Sequence, residues 1–180
     1  MQNGLDGYRR WLEGDREAFS ETVIAYNKKL IYYIGGLTGR FGDAEDLASE
    51  VFLRLLVKKP RFKEEEQLSS WLYKTARNLS LDALRKRKTE PAELDGEAAE
   101  EAELADALIA SEEQRALHTA LSALTPDYRD VLILLYFGEL SYERAAAVMK
   151  KNTAQIRNLA FRAKKSLREK LERMDFHHED

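Results

Sequence analysis

Leu140 to Leu171 reads LSYERAAAVMKKNTAQIRNLAFRAKKSLREKL, and its periodicity decides the fold class. It predicts a short helix, a tight connection and a longer helix that is apolar on one side and basic on the other. Ser141 is placed to cap the first helix, with Arg144 three residues on, and Thr153 to cap the second. In that second helix Ile156, Ala160, Ala163, Leu167 and Leu171 recur at intervals of four, three, four and four, a single stripe at about 100° per residue. Arg157, Phe161, Lys164, Lys165 and Arg168 fall on a different arc, and nine basic residues from Lys150 to Arg173 stand against Glu169 and Glu172. A helix held by one apolar edge and presenting cations on another suits a helix-turn-helix element, whose second helix enters the major groove. The same pattern also fits an amphipathic helix with an ordinary solvated face.

The charge balance of the whole chain conceals this basic segment. The net charge is -3 over 180 residues, which taken alone argues against a polyanionic partner. The acids are concentrated, however: Thr89 to Gln114 carries ten Asp and Glu and no Lys or Arg, so the remainder holds 29 basic against 32 - 10 = 22 acidic residues. Binding to a polyanion follows local patches, so the basic flanks of this stretch keep nucleic acid open as a partner. The chain has no cysteine, which excludes disulfides, thiolate metal sites and cysteine nucleophiles. No apolar run approaches the roughly 20 residues of a membrane span, and MQNGLDGYRR lacks a signal-peptide core. A cytoplasmic location without membrane insertion is expected.

Upstream, Phe19, Val23, Tyr26, Leu30 and Ile34 mark a helix over Asp15 to Gly35, which the Gly35-Gly36 pair is expected to end. A second helix is expected over Asp43 to Leu56, DAEDLASEVFLRLL, with Asp43 and Asp46 suiting its N-terminal dipole and a core stripe of Ala44, Leu47, Ala48, Val51, Phe52 and Leu55. Asp46, Glu50 and Leu53 lie on the other side. An apolar residue among carboxylates is either a tolerated surface leucine or a protein contact. Pro60 ends that segment, and Arg61 to Gln67 reads as a polar loop with one aromatic, Phe62. A third helix, Leu68 to Lys88, contains Trp71, Leu72, Tyr73, Asn78, Leu79, Leu81 and Leu84 and closes in Arg85-Lys86-Arg87-Lys88. Its aromatics are core, or they are faces on which unpaired bases stack.

Thr89 to about Ile109 is a composition break with Pro91, Gly96 and many Glu, expected to be a linker that is flexible at its start and helical toward its end. Acids tethered between two basic modules could also compete with DNA for their surfaces. Glu112 to Leu124 is again helical, Thr125 is placed to cap and Pro126 to open the next helix, and Tyr128 to Phe137 is strongly apolar up to Gly138. The tail from Met174 is expected to fray, with His177 and His178 lacking the partners of a metal site.

Four stretches in order, Gly14-Asp15-Arg16-Glu17-Ala18-Phe19, DAEDLASEVFLRLL, WLYKTARNLSLDALRKRK and LTPDYRDVLILLYFGELSYERAA, resemble the bacterial RNA polymerase sigma factors of the extracytoplasmic-function (ECF) group. The resemblance spans nearly the whole chain. It implies an all-α protein of two small helical domains joined by an acidic linker: residues 1–88 for core-polymerase binding, -10 recognition and melting, 89–111 as linker, and 112–180 as the helix-turn-helix domain for the -35 element. It implies that Asp46, Glu50, Leu53 and Arg54 dock on the clamp helices of the polymerase largest subunit, and that Tyr128 to Phe137 contributes to docking on the flap. For the -10 element it points to Phe62, Lys63, Trp71, Lys74, Arg77, Asn78, Arg85, Lys86 and Arg87. For the -35 element it points to Thr153, Gln155, Arg157, Asn158, Phe161, Lys164, Lys165 and Arg168.

Core RNA polymerase, promoter DNA and an anti-sigma factor are the partners so implied, with no cofactor, no metal and no catalysis by the chain itself. The sequence departs from the family pattern at the helix-turn-helix turn, where Lys150-Lys151 replaces Gly and an apolar residue, and at Ala145 and Leu159. Glu64, Glu65 and Glu66 make the melting loop acidic for a surface expected to meet DNA. A free-standing helix-turn-helix regulator explains the C-terminal half but leaves the face at Asp46, Glu50 and Leu53 without a role. An enzyme is disfavoured, because there is no Gly-rich phosphate loop and the three histidines are His118 and two in the tail.

Overall fold

The computed structural model describes residues 4–89 and 109–178, which form eight helices and no strand. The chain divides into two compact units, Met1–Glu101 and Ala102–Asp180. Most of the expected acidic linker, residues 90–108, lies outside the described residues.

Unit 1 holds α1 (Gly4–Leu12), α2 (Phe19–Thr38), α3 (Phe41–Lys58) and α4 (Glu65–Arg87). Helix α2 packs against all three others. Its Tyr26, Leu30 and Ile34 are buried as their spacing predicts, facing a core completed by Ala48, Val51 and Leu55 of α3 and Leu68, Leu72 and Ala76 of α4. Tyr33 and Tyr73 meet edge to face, with ring centroids 5.1 Å apart.

One expectation is corrected here, and one helix is added. The Gly35-Gly36 pair does not end α2, which runs on to Thr38 and stops at Gly39, whose φ of 71° is the left-handed conformation of a helix C-terminus. Gly35 instead makes room for a ring: a Cβ there would lie 2.3 Å from Cδ1 of Phe41. Helix α1 was not legible as a helix at all. It is nine residues long with glycine at Gly4 and Gly7, and its place depends on what those glycines admit. A Cβ on Gly7 would meet the Ala18 carbonyl oxygen at 2.6 Å, and one on Gly4 would meet Cε2 of Tyr26 at 2.5 Å.

Unit 2 holds α5 (Glu112–Ser122), α6 (Pro126–Tyr136), α7 (Tyr142–Met149) and α8 (Thr153–His178), with α8 touching the other three. Ile156, Ala160 and Ala163 of α8 are buried, along with Val131, Leu132, Ile133 and Leu134 of α6 and Ala145, Val148 and Met149 of α7. Ser141 caps α7 as expected, its side chain accepting from the Arg144 N–H at 3.2 Å.

Thr125 stands at the N-cap of α6 and Pro126 opens the helix as expected, although the Thr125 hydroxyl makes no capping bond. Two end assignments change. Thr153 is the first residue of α8 rather than its cap. Asn152 takes that part, with its Oδ1 accepting from the Gln155 N–H at 2.8 Å while Gln155 Oε1 accepts from the Asn152 N–H at 2.9 Å. At the other end, α8 does not fray at Met174 but continues to His178.

Candidate nucleic-acid interface

The turn between α7 and α8 closes without glycine. Lys150 adopts φ 56°, ψ 45° and the Lys151 N–H donates to the Ala146 carbonyl at 3.0 Å, the six-residue closure of a left-handed helix end. The departure at Lys150-Lys151 therefore leaves the turn in place and strains one lysine.

Burial of Ile156, Ala160 and Ala163 turns the opposite arc of α8 outward. Gln155, Asn158, Phe161, Arg162, Lys165 and Arg168 are exposed there, and Phe161 is 72% exposed although aromatic. Lys151, Gln155, Asn158, Leu159 and Arg162 line a shallow groove of about 240 Å³. Arg162 was absent from the sequence-based selection, which followed the arc from Arg157 to Arg168. Placing the residues at 100° per step and opposite the buried stripe would have included it.

Two of the predicted cations lie along the edge of this arc, each over a tyrosine. The Arg157 guanidinium sits 5.7 Å from the Tyr142 ring centroid and the Lys164 ammonium 5.4 Å from that of Tyr136. A hydrogen bond to Tyr136 raises the Lys164 pKa, so this charge persists further into alkali. Gln155 is held in the reciprocal cap with Asn152. Thr153 is half-buried at the helix start.

In unit 1 the loop before α4 is tied down at several points. The Arg9 guanidinium donates to the carbonyls of Phe62 at 3.0 Å and Lys63 at 2.7 Å, Tyr8 OH donates to the Pro60 carbonyl, and the Lys63 N–H donates to Gln67 Oε1 at 2.7 Å. The Phe62 ring lies between Tyr8 and Trp71, at centroid distances of 5.7 and 6.4 Å. On α4, Trp71, Lys74, Asn78 and Arg85 share about 60° of arc. Lys74, Asn78 and Arg85 are exposed and Trp71 is half-buried, with Arg77 on the flank, also half-buried.

The basic end of α4 separates into distinct roles. Arg85 pairs with Asp82 at 2.7 Å and Lys86 points outward. Arg87 turns back into the unit, donating to the Thr38 carbonyl at 2.9 Å and to Asp43 at 3.0 Å. It is a latch between the end of α2 and the start of α3, where a cation meets the negative end of a helix. The expected loop is shorter than its sequence implies, since Glu65, Glu66 and Gln67 already belong to α4, and it is likewise less acidic outward. Glu65 accepts from the N–H groups of Gly4 and Leu5 at 3.0 and 2.8 Å and from Tyr26 OH at 2.8 Å, anchoring the N-terminus of α1.

On α3, Asp46 and Leu53 are exposed and Glu50 is half-buried, bonded to Arg54 at 3.3 Å. Val57, which sequence reasoning passed over, continues this stripe one turn beyond Leu53. The two are 73% and 54% exposed, so carboxylates occupy the N-terminal half of the face and apolar side chains the C-terminal half.

Residues 22–90 match the family model Sigma-70 region 2, and residues 114–167 match Sigma-70, region 4. The ECF RNA polymerase sigma factor EcfG of Rhodopseudomonas palustris is 30% identical over 151 residues, covering 84% of this chain and 83% of its own. The chain belongs to the ECF sigma factors. Another relative, the ECF sigma factor SigW of Bacillus subtilis, is 28% identical over 172 residues, covering 88% of this chain and 91% of SigW. A solved structure of the sigma factor RpoE in complex with the anti-sigma factor NepR from Bartonella quintana shares the fold, with a TM-score of 0.63 over 87% of this chain and 98% of that one at 23% identity. In this ECF sigma factor the region 2 match spans α2 to α4 and the region 4 match spans most of α5 through the first half of α8. Helix α1 lies ahead of both. Among the described residues no helix is long and apolar enough to cross a membrane.

Proposed function

We propose that this ECF sigma factor divides its work among three faces. Unit 2 reads the promoter -35 element through the outward arc of α8. In unit 1, Phe62, Lys63, Trp71, Lys74 and Asn78 meet the opened -10 strand. The α3 stripe of Asp46, Glu50, Leu53 and Val57 docks on core RNA polymerase. Catalysis belongs to the polymerase, so the chain acts as its specificity subunit, in the cytoplasm. The observation that carries the reading is α8 itself, with Ile156, Ala160 and Ala163 buried and Asn158, Phe161, Arg162 and Lys165 exposed. A helix so held offers hydrogen-bonding and cationic groups to base edges and phosphates without disturbing its own packing.

The apolar pair Leu53 and Val57 further supports a protein partner on α3, since apolar side chains this exposed on one face mark contact surfaces. An anti-sigma factor covering these surfaces is part of the proposal, supported by the shared fold with a sigma factor solved in such a complex.

Run-off transcription on genomic fragments with reconstituted holoenzyme tests the reading. Leu53→Glu is expected to abolish core binding without unfolding the chain, and Arg157→Ala to weaken promoter binding while core binding stays normal. Normal core affinity in Leu53→Glu removes the α3 assignment, and joint loss of both activities in Arg157→Ala makes that residue structural.

A further inference from the structure

Helix α1 stands outside both family-model matches, yet it makes the contacts that shape the loop before α4. Two of its side chains are committed to the loop itself, and its N-terminal backbone to the start of α4. Arg9 spans two successive carbonyls, those of Phe62 and Lys63. Tyr8, fully buried, donates to the carbonyl of Pro60 and lies against the Phe62 ring. The α1 N-terminus is in turn fastened to the first residue of α4 through Glu65. Aromatic contacts continue the connection inward, from Tyr8 to Trp11 at 6.0 Å, from Trp11 to Phe19 at 5.3 Å and from Phe19 to Phe52 at 6.3 Å. The loop is thus held from behind by a helix rooted in the core.

We infer that α1 is the brace that holds residues 60–64 in the shape that accepts an unpaired base, with Arg9 as the positioning residue. The inference rests on the proposal that this loop meets the opened -10 strand. Peptide carbonyls left without Arg9 face water and are satisfied there, so the loop would not unfold the unit; it would sample more conformations. A base captured from single-stranded DNA then orders the loop at the moment of binding, and that ordering entropy is subtracted from affinity. With Arg9 in place the ordering has been done in advance.

The test uses holoenzyme and a single-stranded oligonucleotide carrying the non-template -10 strand of a promoter found by run-off transcription. Arg9→Ala should weaken oligonucleotide binding roughly five- to tenfold. Core affinity and binding of the -35 duplex should not change, and Arg9→Lys should recover most of the loss, because an ammonium reaches the same carbonyls. A brace leaves the salt dependence unaltered, whereas an Arg9 that touches phosphate itself lowers the slope of log affinity against log salt by about 0.7 on a single strand, which overturns the inference.

Phe62→Ala separates the two layers of the argument. Weak binding by Phe62→Ala with normal binding by Arg9→Ala refutes the brace and leaves the loop as the DNA surface. Normal binding by Phe62→Ala refutes the loop assignment. The brace is then decided by amide hydrogen exchange at Lys63, whose N–H is bonded to Gln67: exchange must speed up in Arg9→Ala, and unchanged protection refutes the brace.

Discussion

Asn152 and Gln155 cap one another at the start of α8, each side-chain oxygen accepting from the other's backbone N–H, at 2.8 and 2.9 Å. The pair satisfies a backbone donor at the end of the helix that carries the proposed DNA face, and it occupies a glutamine assigned to base contact on sequence grounds. In the DNA-free chain, Gln155 is first of all part of the helix.

Asn152→Ala should therefore cost about 1 kcal/mol of unit 2 stability and speed amide exchange in the first turn of α8. Gln155→Ala should cost less, and the double variant less than the sum, since each single change already breaks the reciprocal arrangement. Promoter sequence preference unchanged in Gln155→Ala would mark the residue as a cap alone; a preference altered at one base position would show that it leaves the cap to read DNA.

Lys150 holds a left-handed conformation that costs a residue with a Cβ roughly 1–2 kcal/mol and glycine almost nothing. Lys150→Gly should raise stability by roughly 0.5–1 kcal/mol in thermal or denaturant unfolding, part of the gain being lost to the greater freedom of glycine in the unfolded chain. A lower midpoint would mean that the lysine side chain holds the turn by a contact of its own.

Gly7 has no such freedom to spare. A methyl group there would press on the Ala18 carbonyl oxygen at 2.6 Å and on Cβ of Glu21 at 2.9 Å, and neither is the loose end of a flexible chain. Gly7→Ala is expected to destabilise unit 1 by about 1–3 kcal/mol, read from denaturant unfolding, by lifting α1 off α2. Wild-type stability with faster exchange confined to α1 would show instead that the helix detaches without the rest of the unit.

Burial pushes the Tyr8 hydroxyl up from 10 to about 12, against a smaller opposing pull from Arg61. A folded-state pKa above the unfolded one favours the protonated, folded form. The contribution is complete below pH 10 and is lost as pH rises toward 12. Unit 1 should accordingly weaken over that alkaline window, and Tyr8→Phe should flatten its pH dependence there. An identical alkaline slope in Tyr8→Phe would assign the loss to other groups, Tyr26 foremost, since burial and its bond to Glu65 raise that hydroxyl as well.

Much of the arrangement was legible because it is periodic. Of the expected stripes, Tyr26-Leu30-Ile34, Ala44-Ala48-Val51-Phe52-Leu55 and Ile156-Ala160-Ala163 are buried, while Phe19, Val23, Leu47, Leu167 and Leu171 are half-buried, and Ser141 caps α7 as its position implied. The outward arc of α8 follows from the same arithmetic. Ends were harder to read. Glycine at Gly35 has the composition of a stop and the function of a gap for Phe41, and Thr153 has the chemistry of a cap that Asn152 supplies one residue earlier.

What the sequence by itself determined, then, is the set of helices with apolar stripes and the faces those stripes leave to solvent, because a side chain's direction along a helix depends only on its own neighbours within a turn or two. The tertiary structure alone decided which charged residues remain available on those faces. Glu65 is drawn to the N-terminus of α1 from 61 residues away, Arg87 to the end of α2 across 49, and Arg9 to the loop at Phe62 across 53. Such pairings depend on where two distant helices come to lie, and a carboxylate or guanidinium looks the same in sequence whether it will be bonded within the fold or left for a partner.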